Sequence, residues 1–217
     1  MKIAFIGYGS MTKALAGKWA GKHELFIGGR NLEKAAGVAA EYDSASGDTA
    51  AAVAFGEVVV IATPHGAVFD AIDAVGVEAF AGKIVIDINN PVPGAFDGDF
   101  ALKSYDGKSL AEAIADKLPR AHVVKAFNTC QAAVWAMPQL NFDGRQFVMP
   151  TCGNDANAKQ IVHQLAADVG CDTHDFGDVT YARQLEAMAA MTIQLLLNGA
   201  DPHTVFALIQ PEKKAII

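Results

Sequence analysis

The chain has 217 residues, 52% of them apolar and 19% charged, with a net charge of −7 and an isoelectric point near 5.3. This is enough for one sizeable core and a small second lobe, and the composition excludes a disordered chain. The acidic balance argues against nucleic acid as a main partner, and no apolar run reaches the length of a membrane span.

Met1-Lys2-Ile3 leads directly into a strand pattern, so no signal peptide is expected. Cys130, Cys152 and Cys171 are scattered and form no C-x-x-C, which fits reduced thiols in a cytoplasmic protein. The six histidines make no metal-ligand pattern, so no metal site is expected.

Ile3-Ala4-Phe5-Ile6 reads as a buried strand. It breaks at Gly7 and Gly9 and passes into a helix pattern with Met11, Ala14, Leu15 and Trp19 on one face. Strand, glycine turn and helix form the context of a dinucleotide fingerprint. Gly7 permits a sharp turn, and Gly9 leaves room for a pyrophosphate against bare backbone. The helix offers unpaired N–H groups to the phosphates. The third position of G-x-G-x-x-G is Thr12, which should loosen helix–strand packing. Ser10 or Thr12 is expected to offer a hydroxyl to a phosphate.

His23–Ile27 reads as the second strand, ending in Gly28-Gly29-Arg30-Asn31. An NAD site usually has an acid at this tip, for the ribose 2′-hydroxyl. Here Arg30 stands there instead, with Lys34 one helical turn later. Arg presents a planar fork of donors to a 2′-phosphate, and each charge-assisted bond is worth roughly 1.5–3 kcal/mol. Two such bonds would favour NADP over NAD by roughly a hundredfold or more. The alternative is a pair of solvated charges on a surface helix.

Residues 31–42 read as a helix, 43–49 as a poor strand at best, and an alanine-rich helix runs to about Phe55. Residues 58–62 are a fully apolar strand, as in the centre of a parallel sheet, ending at Thr63-Pro64-His65-Gly66. The pattern continues with a helix over 66–79 and a strand over 83–88. An irregular excursion follows at 95–106, then a helix at 108–117 and a strand at 122–127. A further strand is read at 145–150, a helix at 155–169, a short strand at 171–175 and a helix at 180–198 capped by Asn198-Gly199. Pro202 stops that helix, and the apolar Ala215-Ile216-Ile217 tail is expected to pack on the body or on a second subunit. The fold class is therefore α/β, a doubly wound and mainly parallel Rossmann sheet. Residues 1–150 form the dinucleotide-binding domain and 151–217 a smaller helix-rich C-terminal lobe.

Five runs occur in order: Ile6-Gly-Tyr-Gly-Ser-Met-Thr12, Gly28-Gly-Arg30, Ala62-Thr-Pro64, Asp87-Ile-Asn-Asn-Pro91 and Val124-Lys-Ala-Phe-Asn-Thr129. Together they resemble the NADPH-dependent coenzyme F420 reductases and their wider oxidoreductase family. The most specific run is Lys-Ala-Phe-Asn-Thr, which does not belong to Rossmann folds in general. The resemblance implies an NADP(H) cofactor, hydride transfer to a deazaflavin, a homodimer, and a C-terminal lobe that helps to shape the acceptor pocket. Related domains in membrane ferric reductases pass the hydride to a flavin.

By the same resemblance, Gly7, Gly9, Ser10, Met11 and Thr12 line the pyrophosphate, and Gly29, Arg30, Asn31 and Lys34 hold the 2′-phosphate end. Ala62, Thr63 and Pro64 pass under the adenosine-side ribose and diphosphate, and Asn89, Ala126 and Asn128 border the nicotinamide. Thr12 departs from the family pattern, where glycine is common. The acceptor stays open between F420, a free flavin and a quinone-like compound.

Direct hydride transfer needs no nucleophile or metal, which suits a chain without a Ser–His–Asp signature. Asn128 is the expected side-chain donor to the carboxamide. His65 and then Thr129 are the candidates for stabilising negative charge on the acceptor. Lys125 reads as structural and Cys130 as a buried thiol. Met188, Met191 and Leu195 line either the acceptor pocket or the core. Two other readings remain: an imine or β-hydroxyacid reductase, and an NADP-binding sensor without turnover.

Overall fold

The computed structural model describes residues 1–142 and 144–200. The chain opens with β1 (Lys2–Ile6), α1 (Ser10–Trp19), β2 (Glu24–Gly28), α2 (Leu32–Ala40), β3 (Ala45–Gly47) and α3 (Thr49–Phe55). It continues with β4 (Val58–Ile61), α4 (Val68–Val75), β5 (Ile84–Asp87), α5 (Leu110–Lys117) and β6 (His122–Lys125). Next come α6 (Ala132–Trp135), β7 (Asn141–Phe142), β8 (Arg145–Gln146) and β9 (Val148–Gly153). The last elements are α7 (Ala156–Val169), β10 (Asp172–Asp175) and α8 (Ala182–Leu197).

Eight strands form one sheet in the order β10-β9-β6-β5-β4-β1-β2-β3. Neighbours run parallel throughout except β6 and β9. The order reverses between β1 and β4, which creates the crevice where dinucleotides lie in such sheets. Side chains alternate between two covered faces. Ile3, Phe5, Val58, Val60 and Ile86 pack under α1, α2 and α7. Ile6, Val59, Ile61 and Val85 pack under α3, α4 and α5. Trp19 closes the first face between the rings of Phe5 and Phe127, and its Nε1 donates to the Leu165 carbonyl at 3.0 Å.

The sequence reading is corrected at five places. The 66–79 helix is only α4, flanked by 3₁₀ turns at His65–Ala67 and Val77–Phe80, because Gly76 turns the backbone at φ 89°. The 145–150 strand divides: Arg145–Gln146 pairs with β7 in a hairpin, and β9 begins at Val148. Its apolar run Phe147-Val148-Met149 carries no mark of where pairing changes. The poor strand at 43–49 is a real edge strand, β3, and α6 had no helical period long enough to be read. Residue 150, taken as the lobe boundary, lies within β9, and β9 and β10 extend the same sheet. Pro202 and the Ala215–Ile217 tail lie outside the described residues.

Helix α5 begins with a capping box between Ser109 and Glu112. Arg183 of α8 grips the same carboxylate through Nε and Nη2, both at 2.7 Å. That fork, followed by the Ser109 donors and against the opposing effect of burial, lowers the Glu112 pKa from 4.5 to about 2. The native state thus binds fewer protons than the unfolded chain as pH falls from 4.5 towards 2. The stabilisation is complete above 4.5 and lost as pH falls through about 2. Because the Arg183 side chain is half exposed, its worth is on the order of 1–2 kcal/mol. Glu112→Gln should lower the melting temperature at pH 7 and leave it nearly unchanged at the acid end. Equal losses at both ends of a thermal-melt pH series would refute the assignment.

Candidate active site at the carboxyl edge of the sheet

The β1–α1 turn passes beneath β4. Gly7 sits at φ 123°, and a Cβ there would meet the Ala62 carbonyl oxygen at 2.4 Å. Gly9 caps α1 with no side-chain hydrogen bond, and a Cβ on it would meet nothing within 4 Å. The first-turn N–H groups of α1 therefore face open space, as an anion site requires. Ser10 is exposed at this end, and Met11 packs partly against the core.

Thr12 behaves differently from its sequence reading. It is fully buried, and its Oγ1 donates to the Gly7 carbonyl at 3.0 Å. It braces the turn that a third glycine would merely allow to pack closely, and its hydroxyl faces the protein rather than a phosphate. Asn31 has a structural part as well. Its Oδ1 accepts from the Lys34 backbone N–H at 2.9 Å and so caps α2.

Arg30 at the β2 tip and Lys34 in the first turn of α2 are both exposed, and among the described residues neither side chain makes an ion pair. A cleft of about 340 Å³ brings Arg30 together with Gly7, Gly9, Gly29, Ala62, Thr63 and Pro64. Four elements of its wall were missed by sequence reasoning. Tyr8 lies so close over Gly29 that a Cβ there would meet its ring at 2.6 Å. Thr49 stands at the start of α3, Asp70 lines the α4 side, and Ala67, Ala71 and Ala74 complete that wall. The i, i+4, i+7 spacing of these alanines was the available signal: small residues on one helix face leave a groove.

The other predicted residues meet past the ends of β5 and β6. Phe127 holds a left-handed φ of 58°, rare for a non-glycine residue and costing about 1–3 kcal/mol. Its ring is fixed against Trp19 and Trp135, and its carbonyl accepts from Trp135 Nε1 at 3.2 Å. The turn it makes sets Asn128 beside Asn90 and α8. Asn128 Nδ2 donates to Asn90 Oδ1 at 2.9 Å and to the Leu185 carbonyl at 3.0 Å. Both donor hydrogens are therefore engaged, and the side chain presents an acceptor rather than the expected donor.

Asn89 is also turned inward. Its Nδ2 donates to the Ile61 carbonyl and to Asp87 Oδ1, both at 2.9 Å, and its own carbonyl accepts from Lys125 Nζ. The Ala126 N–H donates to the Asp87 carbonyl at 3.2 Å. The polar groups of Asn89 and Ala126, residues read as bordering the nicotinamide, are thus largely engaged within the protein.

Beneath them lies a buried ionic cluster. Lys125 Nζ donates to Asp87 Oδ2 at 2.8 Å and to Glu186 Oε1 at 3.0 Å. Glu186 also accepts from the Leu110 and Ala111 N–H groups at the start of α5. Burial acts to lower the Lys125 pKa, but Asp87 and Glu186 outweigh it and the net shift is upward. Burial raises that of Glu186, with Lys125 opposing and Asp87 adding to the rise. Lys125 is structural in the sense read from the sequence, since an unpaired charge at zero exposure would be prohibitive.

Among the described residues six buried side-chain N or O atoms lack a hydrogen-bond partner. Five lie along this edge: Thr63 Oγ1, His65 Nδ1, Tyr105 OH, Asn128 Oδ1 and Thr129 Oγ1. Buried polar atoms are nearly always partnered, so this concentration leaves polar groups along the edge available to a ligand or to water. Burial, and then Lys103, lower the His65 pKa, so the imidazole is neutral at pH 7. Burial raises the Cys130 thiol to about 11, which leaves it unreactive. Met188 packs towards the α5–α8 contact, whereas Met191 and Leu195 are exposed on α8.

Comparison with known proteins places the chain in a family. Residues 2–91 match the family model described as NADP oxidoreductase, coenzyme F420-dependent. The F420-dependent NADP reductase of Methanocaldococcus jannaschii is 30% identical over 211 residues, covering 90% of this chain and 92% of that protein. The chain belongs to the F420-dependent NADP oxidoreductase family. A crystal structure of a protein from Arthrobacter sp. FB24, assigned as an F420-dependent NADP-reductase, superposes with a TM-score of 0.81. It is 32% identical, with 92% of this chain and 96% of that one covered. Metalloreductase STEAP3 of Rattus norvegicus is 28% identical over 190 residues, covering 86% of this chain but only 36% of that protein. This member of the F420-dependent NADP oxidoreductase family is thus an NADP-dependent oxidoreductase on a mainly parallel Rossmann sheet. No helix among its described residues is long and apolar enough to cross a membrane.

Proposed function

We propose that the chain binds NADPH along the carboxyl edge of the sheet and passes its hydride to a deazaflavin of the F420 class. The observation that carries the cofactor reading is the cleft that joins a bare glycine turn to an unpaired Arg30 at an acid-free β2 tip. The acceptor reading rests on the Methanocaldococcus jannaschii reductase, matched over nearly its whole length. NADPH, when bound, supplies the hydride from its nicotinamide ring. The residues orient it: Gly7, Gly9 and Ser10 take the diphosphate, and Arg30 and Lys34 the 2′-phosphate. Ala62, Thr63 and Pro64 form the floor of the cleft. Asn128 Oδ1 accepts from the carboxamide N–H₂, while His65 and Thr129 face the acceptor. A homodimer and a cytoplasmic setting belong to the same proposal, with Met191, Leu195 and Leu197 of α8 as exposed apolar contact residues.

The test is NADPH oxidation with F420, FMN, FAD and riboflavin as separate acceptors, and NADH in parallel. Turnover with F420 well above the flavins supports the proposal. Turnover with free flavins alone would make the protein a flavin reductase. Asn128→Ala should lower turnover by on the order of tenfold to a hundredfold through lost orientation, with NADPH affinity much less affected. An unchanged rate in a folded variant would remove Asn128 from the site.

A further inference from the structure

The buried cluster under the expected nicotinamide position does not balance in charge. Asp87 Oδ1 accepts from the Asn89 N–H and Nδ2, and Oδ2 accepts from Lys125. Glu186 Oε1 accepts from Lys125 and the Ala111 N–H, and Oε2 from the Leu110 N–H. All of these partners are hydrogen-bond donors, the arrangement that suits a carboxylate as acceptor, and burial works against the charge at Glu186. Two carboxylates thus face one ammonium, an excess of acidic over basic groups that the positive end of α5 offsets only in part.

The position of this excess matters. Asp87 and Lys125 are register partners that end β5 and β6. Asn89, Ala126 and Asn128 follow them by two, one and three residues. Asn89 touches Lys125 directly, and Asn128 holds the Leu185 carbonyl next to Glu186. Three residues of chain span at most about 11 Å, so the charge lies within that reach of the residues expected to border the nicotinamide. Asp87 and Lys125 are fully buried and Glu186 nearly so, which puts the charge beyond effective screening by salt.

We propose that the Asp87–Lys125–Glu186 cluster sets the redox poise of the bound cofactor by favouring its oxidised form, whose ring is cationic, over the neutral reduced form. This rests on the placement of the nicotinamide given under Proposed function. The cluster acts at the moment of transfer as well. With NADPH bound and its hydride passing to the deazaflavin, the acidic excess of the cluster would favour the positive charge left on the ring. It does so without touching the reacting atoms, so its members are positioning residues.

The experiment measures dissociation constants for NADP⁺, NADPH and 2′,5′-ADP by calorimetry in the unmodified protein and in Glu186→Gln, Asp87→Asn and Glu186→Asp. Removing either carboxylate charge should raise the ratio of the NADP⁺ constant to the NADPH constant by on the order of tenfold. For a two-electron couple this moves the bound midpoint potential upward by about 30 mV. Glu186→Asp keeps the charge and should keep the ratio. Affinity for 2′,5′-ADP, which has no nicotinamide, should not change in any variant. In the unmodified protein the ratio should stay constant between about 0.05 and 1 M salt. A ratio that follows salt places the discriminating charge at the surface and overturns the proposal, as does an unchanged ratio in either folded neutral variant. Failure of the unmodified protein to bind 2′,5′-ADP or NADPH overturns instead the cofactor reading beneath it.

Discussion

Arg30→Glu should weaken NADPH binding by about two to three orders of magnitude and change NADH binding by less than about threefold. The native guanidinium is exposed at the cleft, and no carboxylate among the described residues competes for it. Two charge-assisted bonds to a phosphate are worth roughly 3–6 kcal/mol together before solvent screening, and the new carboxylate adds repulsion. The fold should be unaffected, because α2 is capped by the neighbouring Asn31 rather than by Arg30. Arg30→Lys should fall between, since an ammonium keeps the charge but loses the planar fork. Fluorescence titration with both nucleotides separates these outcomes. Parallel losses for NADPH and NADH would mean that Arg30 serves the cleft generally and does not read the 2′-phosphate.

The sequence revealed the parts of this site that depend on backbone and local chemistry. Gly7, Gly9 and Arg30 lie within one strand–turn–helix–strand segment, and their placement around one cleft follows from φ, steric room and fixed spacing. The parallel sheet was equally legible from β1, β4 and β5, whose apolar runs have no polar face to orient. What was not legible depended on long-range partners. Asn128 reads as a donor until Asn90 and Leu185, 38 and 57 residues away, take both of its hydrogens. Asn89 and Thr12 are polar residues at ligand-facing addresses whose hydrogen bonds turn out to close inside the protein. Glu186 gave no signal at all. It lies on an apolar helix stripe, and only its pairing with Lys125 and the start of α5 reveals a buried charge. The antiparallel turn of the sheet at β9 was hidden for a related reason. The short mixed run of β9, Val148-Met-Pro-Thr-Cys-Gly153, carries no mark of its direction, because hydrophobic pattern reports burial and not strand orientation.

The two glycines of the first turn should separate fold from function. At Gly7 a methyl group would enter a space bounded by main chain: the Ala62 oxygen at 2.4 Å, its carbon at 2.7 Å and the Thr63 nitrogen at 3.2 Å. None of these atoms can rotate away, and φ 123° is itself unfavourable for an L-residue. Gly7→Ala must therefore push β1 from β4 at the centre of the sheet, at an expected loss of about 3–5 kcal/mol. Gly9 has φ −82° and ψ −172°, extended backbone that alanine adopts freely, and its added Cβ would meet no protein atom within 4 Å. Gly9→Ala should cost less than about 1 kcal/mol of stability as a poorer cap. Yet that methyl would stand where the diphosphate must approach the α1 N–H groups, so NADPH and NADH affinities should both fall by on the order of a hundredfold. Denaturant unfolding and nucleotide titration on the two variants give the answer. If Gly9→Ala binds both nucleotides normally, the diphosphate does not pass over this turn, and the cleft beside Arg30 must be read without it.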